Sequence, residues 1–311
     1  MRRANLLWGV LLLAVALVSL LRALNLIPDG IYDLIARAWP ALLVAAGLGI
    51  FLRERVPYSG LIALALTGAL AAGVAAYAFT AREAQERDDY RETIAQPVDI
   101  NLRLLRVQIE ALDTDVELVR ALQPGGVAGQ FVGSAESVVR AEYTDSGDGA
   151  AALLITEKRP NPFPLLEAVG RGRLRLELPP DVPLDIELIG ESGAASLNLS
   201  GLAVERLNLD WKRGGALVTL PAYKPLGSQP DAVLGTLAAR DGNLTLFVPA
   251  TVAARLELTG GSGLRPEYDE ASYNLLASGV LETRNYDTFD IRLRYIVSVP
   301  RGQMSLRVVE S

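Results

Sequence analysis

The distribution of hydrophobic residues changes near residue 80 of this 311-residue chain. Before that point lie three strongly apolar stretches, and after it apolar and polar residues alternate over most of the remaining sequence. Long apolar stretches are typical of membrane helices, whereas alternation with a period of two is typical of strands with one buried face. The pattern therefore predicts a helical membrane module at 1–80, followed by an all-β domain.

The first apolar stretch predicts a membrane helix over about residues 5–27. It has no charge from Leu6 to Leu21 and continues past Arg22 to Ile27. A helix of about 20 residues spans a hydrocarbon core of about 30 Å, provided that Arg22 extends toward the headgroups. A cleaved signal peptide is the alternative, but no small-residue cleavage pattern follows the apolar run. We interpret the segment as an uncleaved anchor.

The other two apolar stretches predict helices at about 39–52 and 58–80. The second stretch opens with Trp39 and Pro40, which suit a membrane interface and the first turn of a helix. Its 14 residues are short for a span, so an interfacial or re-entrant helix is the alternative. The third stretch has 23 residues and is long enough to cross a bilayer.

The side of the membrane on which the β domain lies depends on the number of spans. With Arg2 and Arg3 inside and three spans, the domain emerges outside the cytoplasmic membrane. If the segment at 39–52 does not cross, the domain is cytoplasmic. We predict a multi-pass membrane protein with an extracytoplasmic β domain.

Residues 81–97 (AREAQERDDYRETIAQP) are highly charged and end in proline, which predicts a helical stalk or linker. From residue 98 to 311 the period changes to two. Segments such as Leu184–Leu188 and Leu207–Trp211 alternate apolar with polar residues, and Gly, Pro and Asn/Asp residues separate them. We therefore predict an all-β domain at 98–311.

An internal repeat indicates how these strands are arranged. Residues 173–193 align without gaps with residues 243–263 and agree at nine of 21 positions. Each copy reads as a strand, a proline turn, a second strand and a Gly-Ser-Gly turn. Between the copies, L-x-L pairs recur after ten residues, at 197/199 and 207/209. Such regular units favour a single-stranded β-solenoid, with an antiparallel β-sandwich as the alternative.

Composition argues against catalysis and against nucleic-acid binding. The chain has no His and no Cys. Residues 1–80 hold six of the 30 basic and three of the 36 acidic residues, so the remainder has a net charge of about −9. An acidic domain repels phosphate backbones. No G-x-S-x-G or comparable pattern is present. We expect no enzyme activity, no catalytic residue, no cofactor, no metal and no nucleic-acid partner.

Three segments have residue types found in functional sites. Gly260–Gly263 is glycine-rich like a phosphate-binding loop, but no Lys-Ser/Thr follows it, so a turn is the interpretation. Asp145–Gly149 spaces two carboxylates like part of a calcium loop, but it lacks the distant Glu and reads as a hairpin turn. Asp113 and Asp115 could form a carboxylate pair on one face of a strand, although their polar surroundings favour solvated positions.

Three further positions have weaker signals for modification or interaction. Asn198 and Asn243 begin Asn-x-Ser/Thr triplets, but both lie in alternating sequence, where a buried or laddered asparagine is the simpler interpretation. Tyr223–Pro230 interrupts the alternation and predicts an exposed loop. Loops of this kind contact partners more often than framework strands do, although a plain connector is the alternative.

The apolar segments resemble a known membrane module. R-R-A-N-L-L-W-G-V-L-L-L at 2–13, N-L-I-P at 25–28 and W-P-A-L-L-V-A-A-G-L-G-I-F-L-R at 39–53 are similar to the module of bacterial LiaI/LiaF-type cell-envelope stress proteins. The phrase V-x-x-x-x-E-L-x-G-x-S-G, at 182–193 and 252–263, resembles the toast-rack, or adhesin-like, β-solenoid domains that accompany this module.

The resemblance implies a role without catalysis. LiaF-type proteins restrain a membrane sensor kinase that responds to cell-envelope stress, so a kinase or another envelope protein is the implied partner. No residue set for this inhibition can be transferred to positions of this chain. A structural or adhesive envelope protein that presents an acidic β-solenoid outside the cell is the alternative function.

Overall fold

The computed structural model describes Ala69 and Gly73, which are helical, and residues 86–159, 170–226, 232–259, 266–276 and 279–309. The predicted helices at about 5–27, 39–52 and 58–80 lie outside the described residues, apart from Ala69 and Gly73. Among the residues that the structure describes, no helix has the length and hydropathy needed to cross a membrane.

The described part of the chain from residue 86 onward is an all-β domain, which confirms the predicted class. Its strands belong to one compact unit, Glu86–Lys158 with Arg171–Ser311. The strands are β1 (Tyr90–Pro97), β2 (Leu104–Arg120), β3 (Gly126–Gly133), β4 (Val138–Asp145), β5 (Ala150–Lys158), β6 (Gly172–Leu178), β7 (Leu184–Ser192), β8 (Ala195–Asn198), β9 (Val204–Arg213), β10 (Ala216–Thr219), β11 (Val233–Asp241), β12 (Leu244–Pro249), β13 (Val252–Thr259), β14 (Glu267–Tyr268), β15 (Tyr273–Leu275), β16 (Val280–Thr283), β17 (Ile291–Ser298) and β18 (Met304–Val309).

These strands form two sheets that share the long strand β2. Sheet 1 has the order β1-β3-β6-β2-β8-β10-β12-β18-β14. Sheet 2 has the order β4-β5-β2-β7-β9-β11-β17-β13-β16-β15. The first part of β2 pairs in sheet 2 and its second part pairs in sheet 1, so the two sheets are continuous through this strand.

Successive strand pairs stack as parallel coils. The pairs β7–β8, β9–β10, β11–β12 and β17–β18 each run first through sheet 2 and then through sheet 1, and each pairs in parallel with the next coil. This parallel stacking differs from the predicted alternative, a sandwich with antiparallel strands. Antiparallel pairing occurs at the flanks, through β1, β3, β4, β15 and β16.

Rows of buried aliphatic residues join the coils. In sheet 2, Leu209 is in register with Leu188 on one side and Leu237 on the other. In sheet 1, Val218 of β10 is in register with Leu246 of β12. All five side chains are at most 2% exposed. Full burial of such a side chain contributes about 1.5–3 kcal/mol, so the alternation in the sequence is what holds adjacent coils together.

The two copies of the internal repeat occupy equivalent places in this topology. Residues 173–193 include β6 and β7, which lie on opposite sides of β2 in the two sheets. Residues 243–263 include β12 and β13, which lie on opposite sides of β18 and β17 in the same way. The predicted order of strand, proline turn and strand is therefore confirmed in both copies. In the first copy the chain pairs with β2 on one side in sheet 1 and on the other side in sheet 2. In the second copy it does the same with β18 and β17.

Residues 90–97 differ from the predicted helical stalk at 81–97, because they form the edge strand β1. All eight residues are in register with β3, from Tyr90↔Gly133 to Pro97↔Gly126. Ile94 is 4% exposed, and the centroids of the Tyr90 and Phe131 rings are 6.1 Å apart. Pairing with a distant strand overrides the local charge pattern on which the helix prediction relied. Residues 81–85 lie outside the described residues.

Candidate interaction surfaces

Asp113 and Asp115 do not form the paired carboxylate site that their spacing allowed. They lie where β2 passes from sheet 2 to sheet 1, and the alternation is broken there, because both Asp113 and Thr114 are buried. The Ala194 N–H donates to Asp115 Oδ1 at 2.7 Å, and an Arg171 guanidinium nitrogen lies 3.5 Å from the same atom. Asp115 therefore stabilises the backbone of the next coil.

Asp145–Gly149 is the turn between β4 and β5. Asp145 Oδ1 accepts the Gly147 N–H at 2.8 Å, and Asp148 Oδ1 accepts the Ala150 N–H at 3.1 Å. Positive φ angles of 73° at Gly147 and 85° at Gly149 close the hairpin. The two carboxylates are thus occupied by turn amides. No cluster of three metal-ligating side chains occurs among the described residues.

Both asparagines of the acceptor triplets are exposed, and their side chains accept backbone hydrogen bonds. Asn198 Oδ1 accepts the Ser200 N–H at 3.2 Å, and Asn243 Oδ1 accepts the Gln303 N–H of the neighbouring coil at 2.9 Å. Asn243 is therefore laddered but is not buried. The glycine-rich candidate Gly260–Gly263 lies outside the described residues.

The loop after β10 is fixed to the β domain by one carboxylate. Tyr223 Oη donates to Glu205 Oε1 at 2.8 Å, and the Leu226 N–H donates to the same oxygen at 2.9 Å. Burial, and then the Glu205 carboxylate, raise the pKa of the Tyr223 hydroxyl above its usual value. Leu226 is 69% exposed. The described part of this loop thus presents an apolar side chain from an anchored backbone.

A buried carboxylate that the sequence analysis did not single out lies near the corner of β2. Glu157 is 5% exposed; its Oε2 accepts the Leu112 N–H at 2.6 Å, and its Oε1 accepts the Ser137 hydroxyl. The two oxygens of Glu157 therefore link β5 to the backbone of β2 and to the segment before β4. The alternation of β5 could have indicated this burial, since Glu157 follows Ala151, Leu153 and Ile155 at the inward positions of the strand.

The outer face of sheet 2 carries a shallow groove of about 550 Å³ across β7, β9, β11 and β17. Polar and charged side chains line it: Glu187, Asn208, Asp210, Thr236, Arg240 and Ser298. The Asp210 carboxylate accepts two hydrogen bonds from the Arg240 guanidinium, at 2.8 and 2.6 Å. Asn208 Oδ1 accepts the Thr236 N–H at 3.1 Å. The Asp210–Arg240 pair and the Asn208–Thr236 hydrogen bond therefore link the neighbouring strands β9 and β11 along the groove.

The outer face of sheet 1 differs from that of sheet 2 in charge. Strands β8, β10 and β12 have no charged residue, and β18 has only Arg307. The sheet 2 halves of the same coils all carry charged side chains. We call this area the neutral face and define it by its uncharged outward side chains, which are Ser196, Asn198, Leu217, Thr219, Thr245, Phe247 and Ser305. Arg307, in register with Phe247, is the one charged side chain on the β18 edge of this area among the described residues.

Comparison with known families and structures identifies the N-terminal module. Residues 7–81 match the model of the LiaF transmembrane domain, which confirms the resemblance of the apolar segments and implies membrane association. The match covers less than a third of the chain. A search of the curated proteins found no match.

Among solved structures, the β domain is similar to a protein from Clostridium sporogenes ATCC 15579 whose assignment as a cell adhesion protein is provisional. The similarity has a TM-score of 0.55 at 13% identity and covers 71% of this chain and 100% of that chain. A provisional adhesin from Bacteroides fragilis NCTC 9343 covers 71% of this chain and 98% of its own at 9% identity, but its TM-score of 0.22 carries no argument. The chain thus combines a segment at residues 7–81 that matches the LiaF transmembrane domain with an all-β domain whose fold is similar to that of the Clostridium sporogenes protein.

Proposed function

We propose that this chain is a non-enzymatic membrane regulator of the bacterial cell envelope, which acts by contacting other proteins. The observation that carries the proposal is the match of residues 7–81 to the LiaF transmembrane domain. LiaF-type proteins restrain a membrane sensor kinase, so the proposed partner is a kinase of that kind. The transmembrane helices of that kinase would contact the segment at residues 7–81 within the bilayer.

The β domain supports a scaffolding role in this proposal. We propose that it is a short β-solenoid, beginning near residue 86 and separate from the membrane module. Its coils are joined by continuous rows of buried Leu and Val side chains, so it forms a rigid platform. Three of the four carboxylates with a candidate chemical role, those of Asp115, Asp145 and Asp148, accept structural hydrogen bonds from backbone N–H groups. This occupation favours contact over catalysis.

The test is co-purification of the tagged full-length chain from native membranes in a mild detergent. We expect a membrane sensor kinase to copurify. The matched control is a chain in which residues 7–81 are replaced by an unrelated membrane anchor, and this chain should lose the kinase while retaining the β domain. Recovery of the full-length chain alone, or equal recovery of the kinase by the control, would contradict the proposal.

A second candidate function is adhesion by an exported β domain. It is favoured by the fold similarity to the Clostridium sporogenes protein. This function requires the β domain outside the membrane, which is the side that we propose from three spans with Arg2 and Arg3 inside. A reporter fused after Ser311, combined with protease treatment of intact cells, distinguishes the two sides. A domain that remains intact in protease-treated cells but is degraded after lysis would exclude adhesion.

A further inference from the structure

Three of the four coils that carry the neutral face have one charged half and one uncharged half, and in the fourth coil β18 carries a single charge, Arg307. Strand β9, for example, has five charged residues among its ten, whereas β10, which continues the same coil, has none. Register places Ser196, Leu217, Thr245 and Ser305 in one row across β8, β10, β12 and β18. Glu117, which is in register with Ser196, and Glu267, which is in register with Ser305, are the charged residues at the two ends of this row.

We propose that the neutral face is the surface through which two copies of this chain associate in the membrane. The partner is identified by charge. Residues 81–311 have a net charge of about −9, so two copies repel each other overall. A basic partner would be attracted to the acidic surfaces instead. The uncharged face is where an equally acidic chain can approach without bringing like charges together.

The side chains of the neutral face are also complementary to themselves. Hydroxyl and amide groups, such as those of Ser196, Asn198 and Thr245, both donate and accept hydrogen bonds, so each can pair with its own kind. Leu217, which is 40% exposed, lies beside Thr245, and Phe247 lies beside Thr219. A two-fold axis near Leu217 and Thr245 would pack the apolar side chains of both copies at the centre and the polar groups around them.

The size of the neutral face indicates that this association depends on the membrane. Four strands about 4.8 Å apart, each contributing about four residues of 3.3 Å, cover about 250 Å² per copy. Stable dimers in solution bury about 800 Å² per partner. Confinement of both copies to one membrane raises their effective concentration and allows a smaller surface to suffice. The association requires only membrane attachment, so it does not depend on whether the chain regulates a kinase or adheres.

The absence of cysteine from the chain allows a direct test by cross-linking in native membranes. The full-length variants Leu217→Cys and Thr245→Cys each place one thiol near the centre of the neutral face. Ser298→Cys places a thiol on the outer face of sheet 2 and is the matched control. Labelling with a small maleimide first establishes that all three thiols react. A short bis-maleimide should then yield cross-linked dimer with both neutral-face variants. Equal yields from Ser298→Cys, or no dimer from either neutral-face variant, would overturn the proposal.

A charge placed on the neutral face provides a second test. Adding Leu217→Arg to the Thr245→Cys chain puts two arginines against each other in the proposed dimer, and the yield of cross-linked dimer should fall about tenfold or more. Adding Thr236→Arg, in the groove of sheet 2, should leave the yield unchanged. Protease resistance of the β domain verifies folding of each variant. An undiminished yield in a folded Leu217→Arg chain would contradict association through this face.

Discussion

The carbonyl oxygen of Gly193 lies 1.8 Å from the position that a Cβ atom on Gly214 would occupy. Both glycines lie at the corner where a coil passes from sheet 2 to sheet 1, and Gly214 has a φ of 111°. The same contact recurs one coil further on, since a Cβ atom on Gly242 would lie 1.8 Å from the Gly214 carbonyl oxygen. The coils can stack at this corner because these positions lack a side chain.

Gly214→Ala should therefore destabilise the β domain by about 2–5 kcal/mol, from the strained φ and the clash with a backbone oxygen. Thermal unfolding of the purified full-length chain, followed by the circular dichroism of the strands, measures the effect. The matched control is Gly215→Ala at the next residue, where the nearest atom to the new Cβ would be 3.8 Å away. Equal melting temperatures for the two variants would refute the close stacking of the corners.

Glu157→Gln tests the buried carboxylate at the corner of β2. The carboxylate accepts hydrogen bonds on both oxygens, from Leu112 and Ser137, whereas the amide of glutamine has only one accepting oxygen. One buried donor loses its partner, which should lower the free energy of unfolding by about 1–3 kcal/mol. Chemical denaturation of the full-length chain measures this change. Glu142→Gln, on the exposed side of β4, is the control and should have little effect.

Burial of Tyr273 should make the β domain less stable at alkaline pH. The pKa of the Tyr273 hydroxyl is raised to about 12, mainly by burial; the hydrogen bond with Thr283 lowers this pKa, and the nearby Asp269 carboxylate raises it. The unfolded chain releases this proton near pH 10, so stability falls as the pH rises from about 10 toward 12. In Tyr273→Phe, the melting temperature should decrease less steeply over this range. A slope identical to that of the unaltered chain would count against the burial of this hydroxyl.

Glu205→Ala should release the backbone of the loop after β10. The Leu226 N–H and the Tyr223 hydroxyl both donate to one Glu205 oxygen, so loss of the carboxylate leaves the loop without this anchor. Hydrogen exchange followed by mass spectrometry should show faster exchange in the peptide that contains Leu226. Glu187→Ala in the sheet 2 groove is the control. Unchanged protection of Leu226 in Glu205→Ala would mean that other contacts hold the loop.

The alternation and the internal repeat were sufficient to predict the β class and the strand–turn–strand units, because both depend on local sequence. The positions of β2 and of β17–β18 could not be predicted, since each pairs with strands that are distant along the chain. Strand β1 was missed for the same reason: Ile94 is buried by pairing with β3, which its charged neighbours do not indicate.

The candidate surfaces were harder to predict than the fold. Asp113 and Asp115 have the spacing of a paired site, but β2 turns a corner between them. Asp113 and Thr114 are both buried there, so the alternation is broken and the two carboxylates do not lie on one face of the strand. The neutral face left a signal in the sequence, since the uncharged segments ASLN, ALVT and LTLFVP follow highly charged ones. That signal became interpretable only when the register showed that these segments are neighbours in one sheet.

We propose that this chain regulates a membrane sensor kinase through residues 7–81, which match the LiaF transmembrane domain. The most direct measurement is the transcriptional output of that kinase's two-component system in native cells without antibiotic. Deletion of the chain should raise the output, the full-length chain should restore it, and the chain with residues 7–81 replaced by an unrelated anchor should not. An output that is unaffected by the deletion, or restored equally by the replaced anchor, would contradict the account.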